Sequence, residues 1–153
     1  SLQGHSMDQI GVVTADNVLF CGDAVISSEI ISKYSCPYVF DVGNHLNTLE
    51  YLKDTGFDAC VMAHGGMVED IRPDTERNIQ VMTGISDFIL KLLKQPATRE
   101  DVIAEYAKRK NIDLGIIQYP LLLGAISAHL SYMADNGMLK YYFEEGKLYW
   151  TAA

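Results

Sequence analysis

Apolar and polar residues in the first 96 positions follow the pattern of short strands alternating with amphipathic helices. Two strand-like runs, 10–14 and 17–21, are separated by Ala15-Asp16-Asn17, and Asp and Asn tolerate the backbone angles of a tight hairpin turn. A third run, 57–62, predicts another strand that turns at residues 63–66. Strands that alternate with helices indicate an α/β layered fold.

Two helices are predicted in this part of the chain. Residues 44–55 carry leucines at helical spacing, and we expect Gly56 to end that helix in left-handed geometry. Residues 74–94 carry an apolar stripe typical of a core-facing helix, with Asp74 as the expected N-cap. Residues 24–43 predict a long loop, which either lines a functional cleft or is partly helical and packs on the core.

Gln95-Pro96-Ala97 is the expected boundary between two domains, 1–96 and 97–153. Thr98 and Asp101 have the spacing of a capping box at the start of a helix. The tail is predicted to contain three helices, over residues 99–110, 113–118 and 121–136, the last of which ends at Gly137. A β-hairpin is predicted to follow, with strands over 138–143 and 147–150 and its turn at Gly146. This order resembles a winged-helix module.

Charge and composition narrow the possible environments and partners. The net charge of −8 disfavours a nucleic-acid backbone as a partner. Most of it lies in residues 1–96, which hold 13 acidic and 6 basic side chains. Three cysteines without paired spacing indicate a reducing compartment, and the sequence shows neither a membrane-spanning run nor a signal peptide. We therefore expect a cytoplasmic protein with no membrane partner.

Three residues with metal-binding side chains lie at glycine-flanked turns next to strand-like runs. His5 precedes the first strand, Asp23 follows the second and His64 follows the third. Side chains at strand ends project into loops, where a scaffold can bring them to one ion. Two imidazoles and a carboxylate suit zinc, and also iron or manganese.

The segments Gly4-His5-Ser6, Gly22-Asp23-Ala24 and His64-Gly65 resemble, in this order, motifs of the metallo-β-lactamase superfamily. The resemblance covers residues 3–96, and a winged-helix-like tail occurs in some members. The first metal motif of the superfamily, His-x-His-x-Asp-His, is absent from this sequence. The chain therefore resembles the C-terminal half of the αβ/βα sandwich, followed by a small winged-helix-like α+β module.

The resemblance implies roles for the three residues. His5 would complete the three-histidine site of a first zinc, Asp23 would bridge two zinc ions, and His64 would bind the second. A metal-activated water would then cleave an ester, thioester, lactam or phosphodiester. We expect this chain alone to bind zinc weakly and incompletely, or not at all, and to be inactive or nearly so.

Other residues and partners follow less directly from the sequence. Asp8 is a candidate for orienting an imidazole, or is a solvated loop residue; His45 is a candidate substrate contact, or caps a helix. Expected partners are a small-molecule substrate and either a missing N-terminal half or a second copy of the chain. Nucleic acid could bind only through the tail. The alternative function is a non-catalytic module whose winged helix binds protein or RNA.

Overall fold

The computed structural model describes residues 1–34 and 36–153, with only the backbone of Tyr34. The chain divides into two compact units, 1–82 and 83–153, which meet inside a helix. The assignment of 1–96 and 97–153 as domains stays a prediction.

The first unit contains a four-stranded mixed sheet with helices. Its elements are β1 (Val12–Val13), β2 (Val18–Gly22), α1 (Ser28–Tyr34), α2 (Val42–Lys53), β3 (Ala59–Met62), β4 (Gly66–Val68) and the first part of α3 (Arg72–Leu92). The strand order is β1-β2-β3-β4; β2 and β3 are parallel, and the other pairs are antiparallel. The three predicted strands are present. The sequence did not predict β4, since it has three residues and begins with glycine.

Local sequence accounts for one turn and one helix start in unit 1, but not for the end of that helix. Asn17 takes the left-handed conformation (φ 58°) expected in the hairpin between β1 and β2. Helix α2 begins two residues before the predicted start, because the side chain of Asp41 accepts a hydrogen bond from the backbone N–H of Asn44. The prediction for Gly56 was wrong. The helix ends at Asp54, whose N–H bonds back to α2, and Gly56 has no positive φ.

Part of the predicted loop 24–43 is helical, as the second interpretation proposed; position 35 lies outside the described residues. Ile31 of α1 is fully buried. The backbone N–H and hydroxyl of Ser28 both donate to Asp74 Oδ1, at 2.6 and 2.7 Å. Asp74 was predicted to be the N-cap of α3, but α3 begins at Arg72 and Asp74 is its third residue. Its carboxylate instead accepts hydrogen bonds at the start of α1.

One face of the sheet in unit 1 forms the core. Leu19 and Cys60 are paired across β2 and β3 and point into it. Leu2 joins the same cluster from the N-terminal segment, and Leu49 and Leu52 join it from α2. Burial raises the pKa of the Cys21 thiol to about 11, so this thiol stays protonated and behaves as a small apolar side chain.

The second unit contains the remainder of α3 and a three-stranded antiparallel sheet with two further helices. Its other elements are β5 (Ala97–Thr98), α4 (Arg99–Lys110), α5 (Gln118–Asp135), β6 (Leu139–Glu144) and β7 (Lys147–Ala152), and the strand order is β5-β7-β6. The capping box at Thr98 and Asp101 is confirmed. The hairpin is also confirmed, with consecutive positive φ values at Glu145 and Gly146.

The predicted short helix over 113–118 is wrong. Asn111 ends α4 in the left-handed conformation, and the N–H of Ile112 bonds back to Ala107 O. The chain then continues without regular structure until α5 begins at Gln118. None of the helices built from the described residues combines the length and the apolar character that crossing a bilayer requires.

Candidate metal centre

The parallel pairing of β2 with β3 brings Asp23 and His64 to the same edge of the sheet. Asp23 immediately follows the last residue of β2, and His64 is the second residue after the end of β3. The two turns are joined directly, since the N–H of Ala63 donates to Gly22 O at 3.0 Å. Gly22 has a φ of 58°, in the left-handed region that favours glycine, at the turn that presents Asp23.

His5 reaches this edge because the N-terminal segment is held against α2. The hydroxyl of Thr48 donates to Gln3 O at 2.7 Å, and the N–H groups of Phe40 and Asp41 both donate to Gly4 O at 2.9 Å. Gly4 has a φ of 136°, and a Cβ there would lie 2.3 Å from the Cα of His45. Only glycine therefore fits at this position, next to the histidine that the turn presents.

The carboxylate of Asp23 lies between the two imidazoles. Its Oδ1 is 2.6 Å from His64 Nδ1, and its Oδ2 is 3.7 Å from His5 Nε2. The first distance is a short, charge-assisted hydrogen bond, and the second is too long for one. The side chain of His64 is 62% exposed, so the centre opens to solvent on that side.

The hydrogen bonds decide which ring nitrogens are available as ligands. His5 Nδ1 lies 3.1 Å from Tyr38 O, and because a carbonyl oxygen only accepts, the proton is on Nδ1. In neutral His5 the lone pair is therefore on Nε2, the atom that faces Asp23. Asp23 orients His64 in the same way and leaves the Nε2 lone pair of His64 for another partner. A histidine that binds a metal through one ring nitrogen usually donates the N–H of the other to a backbone carbonyl or a carboxylate.

The donors fit zinc in kind but do not form a closed site. Two Nε2 atoms and a carboxylate belong to its ordinary ligand set. However, within 1–34 and 36–153 no three His, Cys, Asp or Glu side chains are arranged to hold one ion. The direct 2.6 Å contact also leaves no room for an ion between His64 Nδ1 and Asp23 Oδ1. A metal centre that used these residues would therefore need further ligands.

The other two predicted site residues are not brought to this group. Asp8 is exposed, and among the described residues its carboxylate has no hydrogen bond to an imidazole. His45 is 3% exposed beneath Gly4, and its Nδ1 has no hydrogen-bond partner among the described atoms. Burial, and secondly repulsion from His5, lower the pKa of His45 to about 4, so it is neutral at pH 7. Their predicted roles stay predictions.

Two supporting residues were missed by sequence reasoning. Tyr38 supplies the carbonyl that fixes His5 and packs its ring edge-on against that imidazole, with centroids 5.4 Å apart. The N–H of Ser27 donates to His64 O at 3.0 Å, and its side chain fills the space beside Gly65. The contacts at Tyr38 O and Ser27 N are made by backbone atoms. Because nearly every residue type has these atoms, the sequence could not indicate these contacts.

The fold of the chain is similar to that of solved metallo-β-lactamase-like structures. The chain matches the crystal structure of a metallo-β-lactamase family protein from Thermus thermophilus with a TM-score of 0.76 and 20% identity. It matches a β-lactamase domain protein from Burkholderia ambifaria with a TM-score of 0.80 and 18% identity. Both matches cover 99% of this chain, which spans 48% and 46% of those chains, about half their length.

At the level of sequence, no family model matches the chain, and no curated protein does. The structural similarity confirms the predicted metallo-β-lactamase-like α/β fold. It leaves the assignment to a C-terminal half and to a winged-helix tail as predictions.

Proposed function

We propose that this chain is the part of a zinc-dependent hydrolase of metallo-β-lactamase type that carries three metal-binding side chains. The observation behind the proposal is the position of Asp23 between His5 and His64, with one carboxylate oxygen towards each imidazole. Its support is the combination of this group with a fold shared with two metallo-β-lactamase family structures. Neither would be sufficient alone, because a fold hosts many functions.

Each residue has a distinct task in this proposal. His5 and His64 offer Nε2 lone pairs, and the hydrogen bonds at Nδ1 hold both rings in the required tautomer. Asp23 orients His64 through Oδ1 and keeps Oδ2 available on the side of His5. When bound, zinc supplies a water of lowered pKa and polarises the scissile carbonyl or phosphoryl group. The chain then needs no serine or cysteine nucleophile.

The centre is completed by ligands that the described residues do not provide. The chain spans about half of the two matched structures, which leaves room for such ligands elsewhere in a complete hydrolase. We therefore infer that zinc binds this chain alone only weakly, and that two ions bind in the complete hydrolase. The substrates are esters, thioesters, lactams or phosphodiesters, all of which a metal-activated water can cleave.

The tail is proposed to be a winged-helix-like module. In unit 2, helices α4 and α5 are followed by the hairpin β6–β7, and β5 pairs with β7 to complete a small antiparallel sheet. This order supports the assignment. The alternative of a non-catalytic module that binds protein or RNA gains no support from the structural similarities, and unit 2 has equal numbers of acidic and basic side chains.

The proposal is tested by zinc titration against a chromogenic chelator, together with assays on a chromogenic ester, thioester, lactam and phosphodiester. The wild-type chain should bind zinc with a dissociation constant in the micromolar range and show no turnover above that of free zinc. His5→Gln and His64→Gln should each weaken binding about tenfold or more, a difference of about 1.4 kcal/mol. Asp16→Asn, at an exposed acidic residue in the turn between β1 and β2, is the matched control and should not change zinc binding.

Stoichiometric nanomolar binding by this chain would contradict the claim that the centre is incomplete. Binding that is equally strong in the two histidine variants would contradict the assignment of the ligands.

A further inference from the structure

Helix α3 carries a buried carboxamide that is bonded to the segment following Asp23. Asn78 is 1% exposed; its Nδ2 donates to Ile26 O at 2.6 Å, and its Oδ1 accepts from the backbone N–H of Ile26 at 3.3 Å. Because a backbone N–H only donates and a carbonyl only accepts, these two contacts fix which amide atom is the oxygen. The same Nδ2 also donates to Asp74 O, one turn earlier in α3, at 2.7 Å. Asn78 therefore joins α3 to both backbone polar groups of Ile26.

Segment 24–28 connects this contact to two of the candidate ligands. The segment begins directly after Asp23. Within it, the backbone N–H of Ser27 donates to His64 O at 3.0 Å. A Cβ at Gly65, the next residue after His64, would lie 2.4 Å from the Cβ of Ser27, so the two turns pack closely. A contact that fixes this segment therefore also fixes the turn that carries His64.

A carboxamide suits the two contacts to Ile26. Asn carries an acceptor and an N–H donor side by side, whereas a carboxylate only accepts and an aliphatic side chain does neither. Without Asn78, the N–H and C=O of Ile26 would lose this partner in a partly buried place, which costs free energy. Asp74 supports the same segment at its end, since the N–H and hydroxyl of Ser28 donate to its Oδ1.

We propose that Asn78 is a positioning residue for the candidate metal centre and acts through segment 24–28. It holds the segment where Ser27 bonds to the backbone of His64, and so keeps His64 Nδ1 at 2.6 Å from Asp23 Oδ1. The inference rests on the proposed function, in which these two side chains bind zinc. Residues that orient metal ligands typically change metal affinity about 10–100-fold when substituted.

The test is NMR of the ¹⁵N-labelled chain with chelator present, on the wild type, Asn78→Asp and Asn78→Leu, followed by zinc titration of each protein. In both variants His64 should become a mixture of its two tautomers, whereas His5 should keep its Nδ1 proton, which Tyr38 O fixes independently. Zinc affinity should fall about tenfold or more.

Thr75→Val is the matched control and should change neither the tautomer of His64 nor the zinc affinity. Thr75 is a fully buried polar residue on the same helix, and its hydroxyl donates to Arg72 O within α3 at 2.9 Å. The substitution therefore removes a buried hydrogen bond of α3 and leaves the contacts to segment 24–28 in place.

Circular dichroism checks that the variants are folded, and hydrogen exchange in the wild type keeps the test decisive if they are not. The amide protons of Ile26 and Ser27 should exchange slowly, and fast exchange at either overturns the proposal. A folded Asn78 variant in which His64 keeps its wild-type tautomer also overturns it, as does an equal disturbance of His64 in Thr75→Val. Because the tautomers are measured without metal, a wild-type chain that binds no zinc contradicts the proposed function and leaves this test intact.

Discussion

The two compact units of this protein differ sharply in charge. Unit 1, residues 1–82, has a net charge of −8, whereas unit 2, residues 83–153, has 8 acidic and 8 basic side chains. Unit 1 also holds His5, Asp23 and His64, and its sheet exposes the apolar side chains of Val12, Phe20 and Met67. The candidate metal ligands and these exposed apolar side chains therefore lie in the same unit.

The units also differ in how their structure is specified. The sheet of unit 1 includes the parallel pair β2 and β3, whose partners are about 40 residues apart in sequence. The hairpin of unit 2 pairs residues that are close in sequence around Glu145 and Gly146. Parallel strands need a long crossover, so unit 1 depends more on non-local contacts. The comparison predicts that changes in unit 1 affect metal binding and that equivalent changes in unit 2 do not.

The largest expected effect comes from matched core truncations. Leu49 of α2 and Leu130 of α5 are both fully buried, so Leu49→Ala and Leu130→Ala should each cost about 2–5 kcal/mol of stability. Urea denaturation followed by circular dichroism measures this cost. Under conditions where both variants remain folded, only Leu49→Ala should weaken zinc binding, because α2 holds the segment that carries His5. An equal loss of zinc affinity in both variants would contradict the separation of the units.

Acidification should destabilise unit 1 through His45. Its folded pKa of about 4 lies below the ordinary value of 6.5, so the unfolded chain binds the proton more readily. The contribution of His45 to the free energy of unfolding is therefore complete above pH 6.5 and is lost as the pH falls through about 4. The loss amounts to about 3 kcal/mol. We expect the stability difference between the wild type and His45→Leu to change by this amount between pH 7 and pH 4. If the free energies of unfolding of the wild type and His45→Leu changed equally with pH, His45 would not be buried as a neutral group.

The smallest expected effect is the loss of a helix cap. Asp41→Ala in unit 1 and Thr98→Ala in unit 2 each remove a side chain that accepts from a helical N–H, at a cost of about 1 kcal/mol. Asp41→Asn and Thr98→Ser keep an acceptor and serve as controls. Of the two alanine variants, only Asp41→Ala should also weaken zinc binding, because losing the cap loosens the start of α2, where the backbone N–H of Asp41 donates to Gly4 O. Unchanged zinc affinity in Asp41→Ala would show that this helix cap does not help to position His5.

Sequence reasoning succeeded where the information is local. The capping box at Thr98, the turn at Asn17 and the hairpin at Gly146 each depend on residues within a few positions of one another. The prediction failed where tertiary contacts override local preference. Asp74 looked like an N-cap, but its carboxylate binds Ser28, which is 46 residues away.

The candidate centre shows the same limit. The order and spacing of His5, Asp23 and His64 predicted that they would lie together, and the structure brings Asp23 within 3.7 Å of one imidazole and 2.6 Å of the other. The burial of His45 and the carbonyl of Tyr38 could not be predicted, because both depend on how the N-terminal segment packs against α2. That the three residues are metal ligands stays a prediction.

The most direct test of that assignment is a zinc titration of the ¹⁵N-labelled chain, followed by the side-chain nitrogen resonances of its four histidines. Before zinc is added, His5 and His64 should both carry their proton on Nδ1. During the titration their Nε2 resonances should shift first and most, while the Nδ1 protons remain. Larger shifts at His45 or His129, binding through Nδ1, or no shift at millimolar zinc would contradict the assignment of His5, Asp23 and His64 as part of a zinc centre.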